Sequence, residues 1–297
     1  MTAEKLHDLE VDIDLEIVRR LLVTQFPHWA DRSLHRLNST GTVNAIYRLG
    51  DDLYVRLPRV HRWARSLRNE LRWLPTLAPQ LPLAVPDPVA TGKPGAGYPF
   101  SWAVYRWLDG ETFAIDRVRD ERQAGVDLAQ FISSLRNIDP SGAPRSTRAR
   151  PLHLQDAETR TAIEASGASV DAVPALAVWD ASLRAPAWDG NPMWAHGDLI
   201  PPNLLLRDGR LRAVIDFGSV GVGDPAVDVI PAWSVFGAAG RAALRAALDV
   251  DDATWARARG LALHQALLII PYYRETNPDF VAMAKRTVEH VLADYGS

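Results

Sequence analysis

Residues 196–203 read "HGDLIPPN" and residues 214–218 read "VIDFG". Between them, "LLL" at 204–206 and "LRAVI" at 211–215 bracket the turn "RDGR", the pattern of a small β-hairpin. A hairpin folding back on itself brings its flanking stretches together, so Asp198, Asn203 and Asp216 are expected to converge at one end of a two-stranded ribbon. Two carboxylates and an amide oxygen are hard ligands suited to Mg²⁺, which keeps several waters and also binds substrate phosphates. One carboxylate held apart can accept a hydroxyl proton while the others hold metal. Phosphoryl transfer needs that division of labour, because its catalysis is mostly positioning and charge neutralisation.

Toward the N-terminus, "IDLEIVRRLLVTQF" at 13–26 spaces its apolar residues at i, i+4, which predicts an amphipathic helix stopped near Pro27. "AIYRL" and "LYVRL" flank "GDD" at 50–52 and predict a β-hairpin, with the small-residue turn "NSTGTVN" at 38–44 leading into the same sheet. A helix is expected over 62–77, with Leu67, Leu71 and Leu74 inward and Glu70 on a neighbouring face. The Pro- and Gly-rich segment 78–99 reads as extended loop, and "FSWAVYRWL" at 100–108 as a strand. Composition then changes, a helix follows near 120–137, and 225–295 reads as three or four helices. The expected division is a sheet-dominated lobe over 1–107, a linker at 108–112 and a larger helical lobe over 113–297.

With 297 residues, 47% of them hydrophobic, the chain can bury a sizeable core in one large domain or two lobes. A formal net charge of −3 argues against a dedicated nucleic-acid binder. The absence of cysteine excludes disulfides, thiolate metal sites and cysteine nucleophiles. The acidic "MTAEKLHDLEVDID" lacks the apolar centre of a secretory signal, and "LALHQALLIIPYY" at 261–273 is too short to span a bilayer. A cytoplasmic protein without a membrane partner is the expectation.

The spacing Asp-x₄-Asn followed by Asp-Phe-Gly is that of kinase catalytic and metal loops. In its His-Gly-Asp form, and with "GDPAVD" at 223–228, the sequence resembles the aminoglycoside phosphotransferase family of small-molecule kinases. The resemblance implies an α+β, two-lobed, protein-kinase-like fold, Mg²⁺, and ATP or GTP as co-substrate. It implies that Asp198 orients or deprotonates the acceptor hydroxyl, that Asn203 and Asp216 hold Mg²⁺, and that His196 and Asp228 brace the catalytic loop. Asp224 would cap the helix that Pro225 starts. In the first lobe it calls for a cation paired to a helix carboxylate and touching the nucleotide phosphates. Arg56 and Glu70 fill those places, with Arg59 the alternative cation; Arg stands where kinases usually carry Lys, and can grip phosphate through two parallel hydrogen bonds. Ser39, Thr40 and Thr42 would cover the phosphates, though with one Gly in place of a Gly-rich loop. Backbone groups around Tyr105–Trp107 would meet the purine edge.

The acceptor is expected to be a hydroxylated small molecule. Six acids in 151–190 (Asp156, Glu158, Glu164, Asp171, Asp180 and Asp189) face only Arg160 and Arg184, an excess that would steer a cationic, aminoglycoside-like antibiotic. Trp179, Trp188, Trp194, Trp233, Phe236, Tyr272 and Tyr273 could instead line a pocket or fill the core. A metabolic kinase of the choline, homoserine or fructosamine type is the alternative within the same chemistry, and a silent nucleotide-binding module the alternative outside it. A protein kinase is disfavoured, because "GDPAVD" follows "DFG" after five residues and leaves no room for an activation loop.

Overall fold

The computed structural model describes residues 10–37 and 43–296. Ser39, Thr40 and Thr42 lie outside the described residues. The chain divides into two compact units that are not contiguous in sequence: the first takes the residues up to Ala78, then Val85–Asp109 and Asp216–Gly218, and the second takes Pro79–Ala84, Gly110–Ile215 and Ser219 onward.

In the first unit, helix α1 (Leu15–Gln25) starts at Asp14, whose side chain accepts the Ile17 N–H. Strands β1 (Leu34–Arg36), β2 (Asn44–Leu49) and β3 (Leu53–Pro58) follow, then helix α2 (His61–Leu77) and strands β4 (Pro88–Gly92) and β5 (Trp102–Arg106). They form one antiparallel sheet in the order β1-β2-β3-β5-β4. The expected hairpin is β2–β3, closed at Gly50 with φ 61°. The segment expected as loop contributes β4, which occupies an edge; Pro88 starts it, at a position where a missing N–H costs no ladder bond. Leu21, Leu22, Tyr47, Leu57 and Trp102 are fully buried on the sheet's α1 side, while α2 packs its stripe Leu67, Glu70, Leu74 and Leu77 inward.

The second unit begins with β6 (Glu111–Thr112), α3 (Glu121–Arg136), α4 (Asp156–Ser166) and α5 (Ala172–Arg184). Strand β7 (Met193–Ala195), the hairpin β8 (Leu204–Arg207) with β9 (Arg210–Val214), and β10 (Gly221–Gly223) follow. Helices α6 (Pro231–Ser234), α7 (Ala238–Ala247), α8 (Asp252–Tyr272) and α9 (Pro278–Tyr295) complete it. The strands make two small antiparallel ribbons, β7 with β10 and β6-β8-β9. Helix α8 is buried on nearly every side, from Trp255 to Ile270, which makes it the centre of the helical layer. Its sequence carries an apolar run interrupted by His264 and Gln265, and both interruptions face the site described next.

Candidate active site

In the first unit, β3 places Arg56 opposite Ile46 of β2 and Ala103 of β5, and α2 delivers Glu70 from above the sheet. Glu70 lies on the buried stripe of α2, not on the adjacent face that spacing suggested. Its carboxylate offsets the cost of burial by accepting many hydrogen bonds. Arg56 Nη1 donates to Glu70 Oε1 at 3.0 Å and Oε2 at 2.8 Å, the Phe217 N–H donates to Oε2 at 2.9 Å, and the Tyr105 hydroxyl donates to Oε1. Arg56 Nη2 donates to Asp216 Oδ1 at 2.8 Å. With its amide oxygen turned to the guanidinium, Asn44 accepts from Arg56 Nε at 2.9 Å and Nη2 at 3.1 Å. All five Arg56 donors are thereby engaged.

Burial works against the Arg56 charge, but Glu70 and then Asp216 outweigh it, and its pKa lies well above the usual value. Burial, then Glu70, pushes the Tyr105 phenol well up, so it stays protonated as a donor. Asp216 adopts φ 65°, the left-handed region that Asp tolerates better than most residues. Arg59 instead donates to Glu10 Oε2 at 3.3 Å. The Tyr105 ring is fully buried and stacks on Tyr54 at 5.1 Å, and Arg48 lies 3.8 Å over the Trp107 ring. The Arg106 and Trp107 N–H groups already donate to the carbonyls of Asp87 and Asp52.

In the second unit, β7 delivers the chain into His196, Gly197 and Asp198. The Asp228 carboxylate, from the 3-10 turn Pro225–Val229, accepts the His196 N–H through Oδ2 at 2.7 Å and the Gly197 N–H through Oδ1 at 2.8 Å. Burial raises the Asp228 pKa, opposed by the Gly197 and His196 N–H groups it accepts. His196 Nδ1 accepts the Asp198 N–H at 3.3 Å, which leaves Nε2 as the donor to Ile215 O at 3.2 Å and assigns the neutral Nε2–H tautomer. His196 thus ties the start of the loop to the residue that precedes Asp216. Gly197 adopts φ 79°, and a Cβ there would stand 3.2 Å from Arg148 Cβ and 3.3 Å from Ser219 O. Asp224 accepts the Ala226 N–H at 2.9 Å and pairs with buried Arg257 at 2.8 Å.

Asp198 is held by two amide donors. Asn203 Nδ2 donates to its carbonyl at 2.8 Å and to Oδ2 at 3.1 Å, and Gln265 Nε2 donates to Oδ1 at 3.1 Å. Asn203 uses its nitrogen in both bonds, so Oδ1 is its ligand-capable end. An amide oxygen of this kind is a hard donor, which a divalent cation such as Mg²⁺ takes together with water and phosphate. Among the described residues, no group of three or more His, Cys, Asp or Glu forms a self-sufficient metal cage.

Gln265 was missed from the motifs. A polar residue beside His264 in the apolar run of α8 is its only trace in the sequence, and its contact with Asp198 spans 67 residues. Gln265 and Gly197 line a cavity of ≈ 310 Å³ within the second unit, together with Arg148, Arg150, Glu158 and His264. Trp179, Trp194, Trp233 and Phe236 are fully buried, and no Trp, Tyr or Phe among the described residues lines this cavity. The acids of 151–190 do not gather there either: Asp156 and Asp180 pair with Arg160, Asp171 caps α5, and Glu158 alone reaches the lining.

An antiparallel sheet carrying a buried Arg–Glu pair, and a helical unit whose Asp–Asn loop hangs on a buried carboxylate, define a kinase-like phosphotransferase fold. The chain belongs to the phosphotransferase enzyme family (APH), whose model matches residues 35–261. The structure is similar to the GDP and kanamycin complex of APH(2″)-IIIa, with a TM-score of 0.76 at 21% identity over 95% of this chain and 99% of that one. It is similar also to macrolide 2′-phosphotransferase MphH from Brachybacterium faecium, with a TM-score of 0.60 at 20% identity over 94% and 97% of the two chains. In sequence it is 26% identical over 161 residues to the uncharacterized protein YcbJ of Bacillus subtilis (strain 168), a match covering 52% of this chain. It spans about half the length of that curated relative. No helix among the described residues is long and apolar enough to cross a membrane.

Proposed function

We propose that the protein is a Mg²⁺-dependent kinase that transfers the γ-phosphoryl group of ATP or GTP to a hydroxyl of a small molecule. The observation that carries this is the Asp198 carboxylate, fixed by Asn203 and Gln265 beside a cavity of ligand size. The acceptor oxygen bonds to the γ-phosphorus as the bond to the β-phosphate oxygen breaks, and the hydroxyl proton passes to Asp198. The Asn203 and Gln265 amides keep that carboxylate aimed, so it orients the hydroxyl as well as accepting its proton. Asn203 Oδ1 and Asp216 would hold Mg²⁺, which supplies charge neutralisation at the phosphates when bound. Arg56, set by Glu70, would meet the α- and β-phosphates; Ser39, Thr40 and Thr42 would cover them, and backbone groups around Tyr105–Trp107 would meet the purine edge. A location in the cytoplasm is part of this reading.

An aminoglycoside-like acceptor, with antibiotic resistance as the role, is supported by the kanamycin-bound neighbour. At 21% identity that likeness carries the fold, so the acceptor must be argued from this chain's own cavity. A choline-, homoserine- or fructosamine-type kinase shares the same catalytic residues. The test is coupled nucleotide turnover with Mg²⁺, using ATP and GTP separately, across aminoglycosides, macrolides and hydroxylated metabolites. Acceptor-dependent turnover should fall by at least about 10²-fold in Asp198→Ala while nucleotide affinity and the unfolding midpoint persist. Wild-type turnover in that variant would remove Asp198 from the chemistry.

A further inference from the structure

We infer that the acceptor carries an anionic group, a carboxylate or phosphate, in addition to the hydroxyl that is phosphorylated, and that Arg148 and Arg150 bind this anion. The inference rests on the kinase reading of Asp198 and names the substrate class for the same site. Gln265 joins the two ends of the argument, since it lines the cavity and donates to Asp198. A molecule seated in the cavity therefore presents its nearer end to the carboxylate that takes the hydroxyl proton.

The charge of the lining decides what sits at the other end. Arg148 and Arg150 are exposed and, among the described residues, make no ion pair; Glu158 is the only carboxylate in the lining. His264 lines the cavity as a neutral imidazole. Away from Asp198, two guanidiniums against one carboxylate disfavour a cation and attract an anion, which a planar guanidinium can hold through paired hydrogen bonds. The Arg148 backbone is also held in place. Ser146 Oγ accepts the N–H groups of Arg148 and Ala149 at 3.2 and 3.3 Å and donates to Ser219 O at 3.2 Å. The close approach of Arg148 Cβ to Gly197 sets this arginine one residue from Asp198 across the loop. Val227, Ile230, Leu261 and Leu268 supply an apolar wall, so the acceptor combines a hydroxyl, an apolar stem and an anion.

The test is calorimetric titration in the presence of Mg²⁺ and a non-hydrolysable nucleotide analogue. Ligands are hydroxy acids with their methyl esters, hydroxyalkyl phosphates, choline and kanamycin, run with matched turnover assays. At least one carboxylate or phosphate should bind about tenfold or more tightly than its neutral counterpart, and the two series tell which anion is preferred. In Arg148→Gln/Arg150→Gln that preference should vanish, with the unfolding midpoint retained because both side chains are exposed. Neutral or cationic ligands binding as tightly as the anions, no binding by any anion, or a preference surviving the double substitution would each overturn the inference. Anion binding that depends on both arginines, without any transfer sensitive to Asp198→Ala, would leave this site standing and sink the kinase reading instead.

Discussion

Arg56 and Asp216 hold each other: Nη2 of the one donates to Oδ1 of the other at 2.8 Å, across 160 residues of sequence. Both are proposed to face the Mg²⁺-nucleotide, Arg56 through phosphate and Asp216 through the metal. Arg56 cannot do so while the ion pair is closed, because every Arg56 donor already has an acceptor, and the pair also occupies Asp216 Oδ1.

Metal and nucleotide should therefore bind cooperatively, each releasing the residue that the other needs. In Asp216→Ala, nucleotide without Mg²⁺ should bind more tightly than to wild type, while the enhancement by Mg²⁺ should disappear. Titrations with and without the metal measure both. Undiminished Mg²⁺ enhancement in the variant would exclude Asp216 as a ligand.

Glu70 accepts from Arg56, Tyr105 and the Phe217 N–H, and it is completely buried. Glu70→Ala should cost about 3–5 kcal/mol in urea unfolding, since it strands a buried guanidinium, a phenol and the Phe217 N–H. Glu70→Gln keeps the shape and should cost less. A loss below about 1 kcal/mol for Glu70→Ala would show that the network relaxes around the gap.

Gln265 touches Asp198 without belonging to the loop that carries it. Gln265→Ala should lower kcat about tenfold, roughly the worth of one hydrogen bond to a charged group, and leave the nucleotide KM unchanged. Gln265→Glu should be worse than Ala, because it sets a second carboxylate against Asp198. Equal effects of the two substitutions would point to packing alone.

Desolvation first, then Arg148 and Arg150, lowers the His264 pKa to about 4. Its ring stacks on Trp179 at 6.1 Å, and Nδ1 lies 2.8 Å from Thr159 Oγ1, whose proton goes to Gln155 O. The folded state thus prefers the neutral ring more than the unfolded chain does. The stability this contributes is fully present above pH 6.5 and is lost as pH falls toward 4, amounting to about 3 kcal/mol. His264→Gln should flatten the stability profile across that window. An unchanged slope would place the acid sensitivity elsewhere.

The order and spacing of Asp198, Asn203 and Asp216, together with the short-period patterns of β2–β3, α3 and β8–β9, were written in the sequence, since each depends on neighbours a few residues away. Those patterns were enough for the two-lobed α+β expectation, and the resemblance to the aminoglycoside phosphotransferases named Arg56 and Glu70 as partners. The sequence left Glu70 on the wrong face of α2, read β4 as loop, and treated the acids of 151–190 as one electrostatic surface. Tertiary structure decided these points. A carboxylate can occupy a core stripe once Arg56, Tyr105 and Phe217 satisfy it, and a Pro-bearing segment can pair at a sheet edge. Helices α4 and α5 consume Asp156, Asp180 and Asp171 in local pairs and a cap, while packing of α8 brings Gln265 to Asp198 and the 146–150 segment brings Arg148 to Gly197. The Asp198, Asn203 and Asp216 pattern is short-range and therefore legible in the chain. The cavity's charge is a sum over residues distant in sequence, and only the packed fold performs that sum.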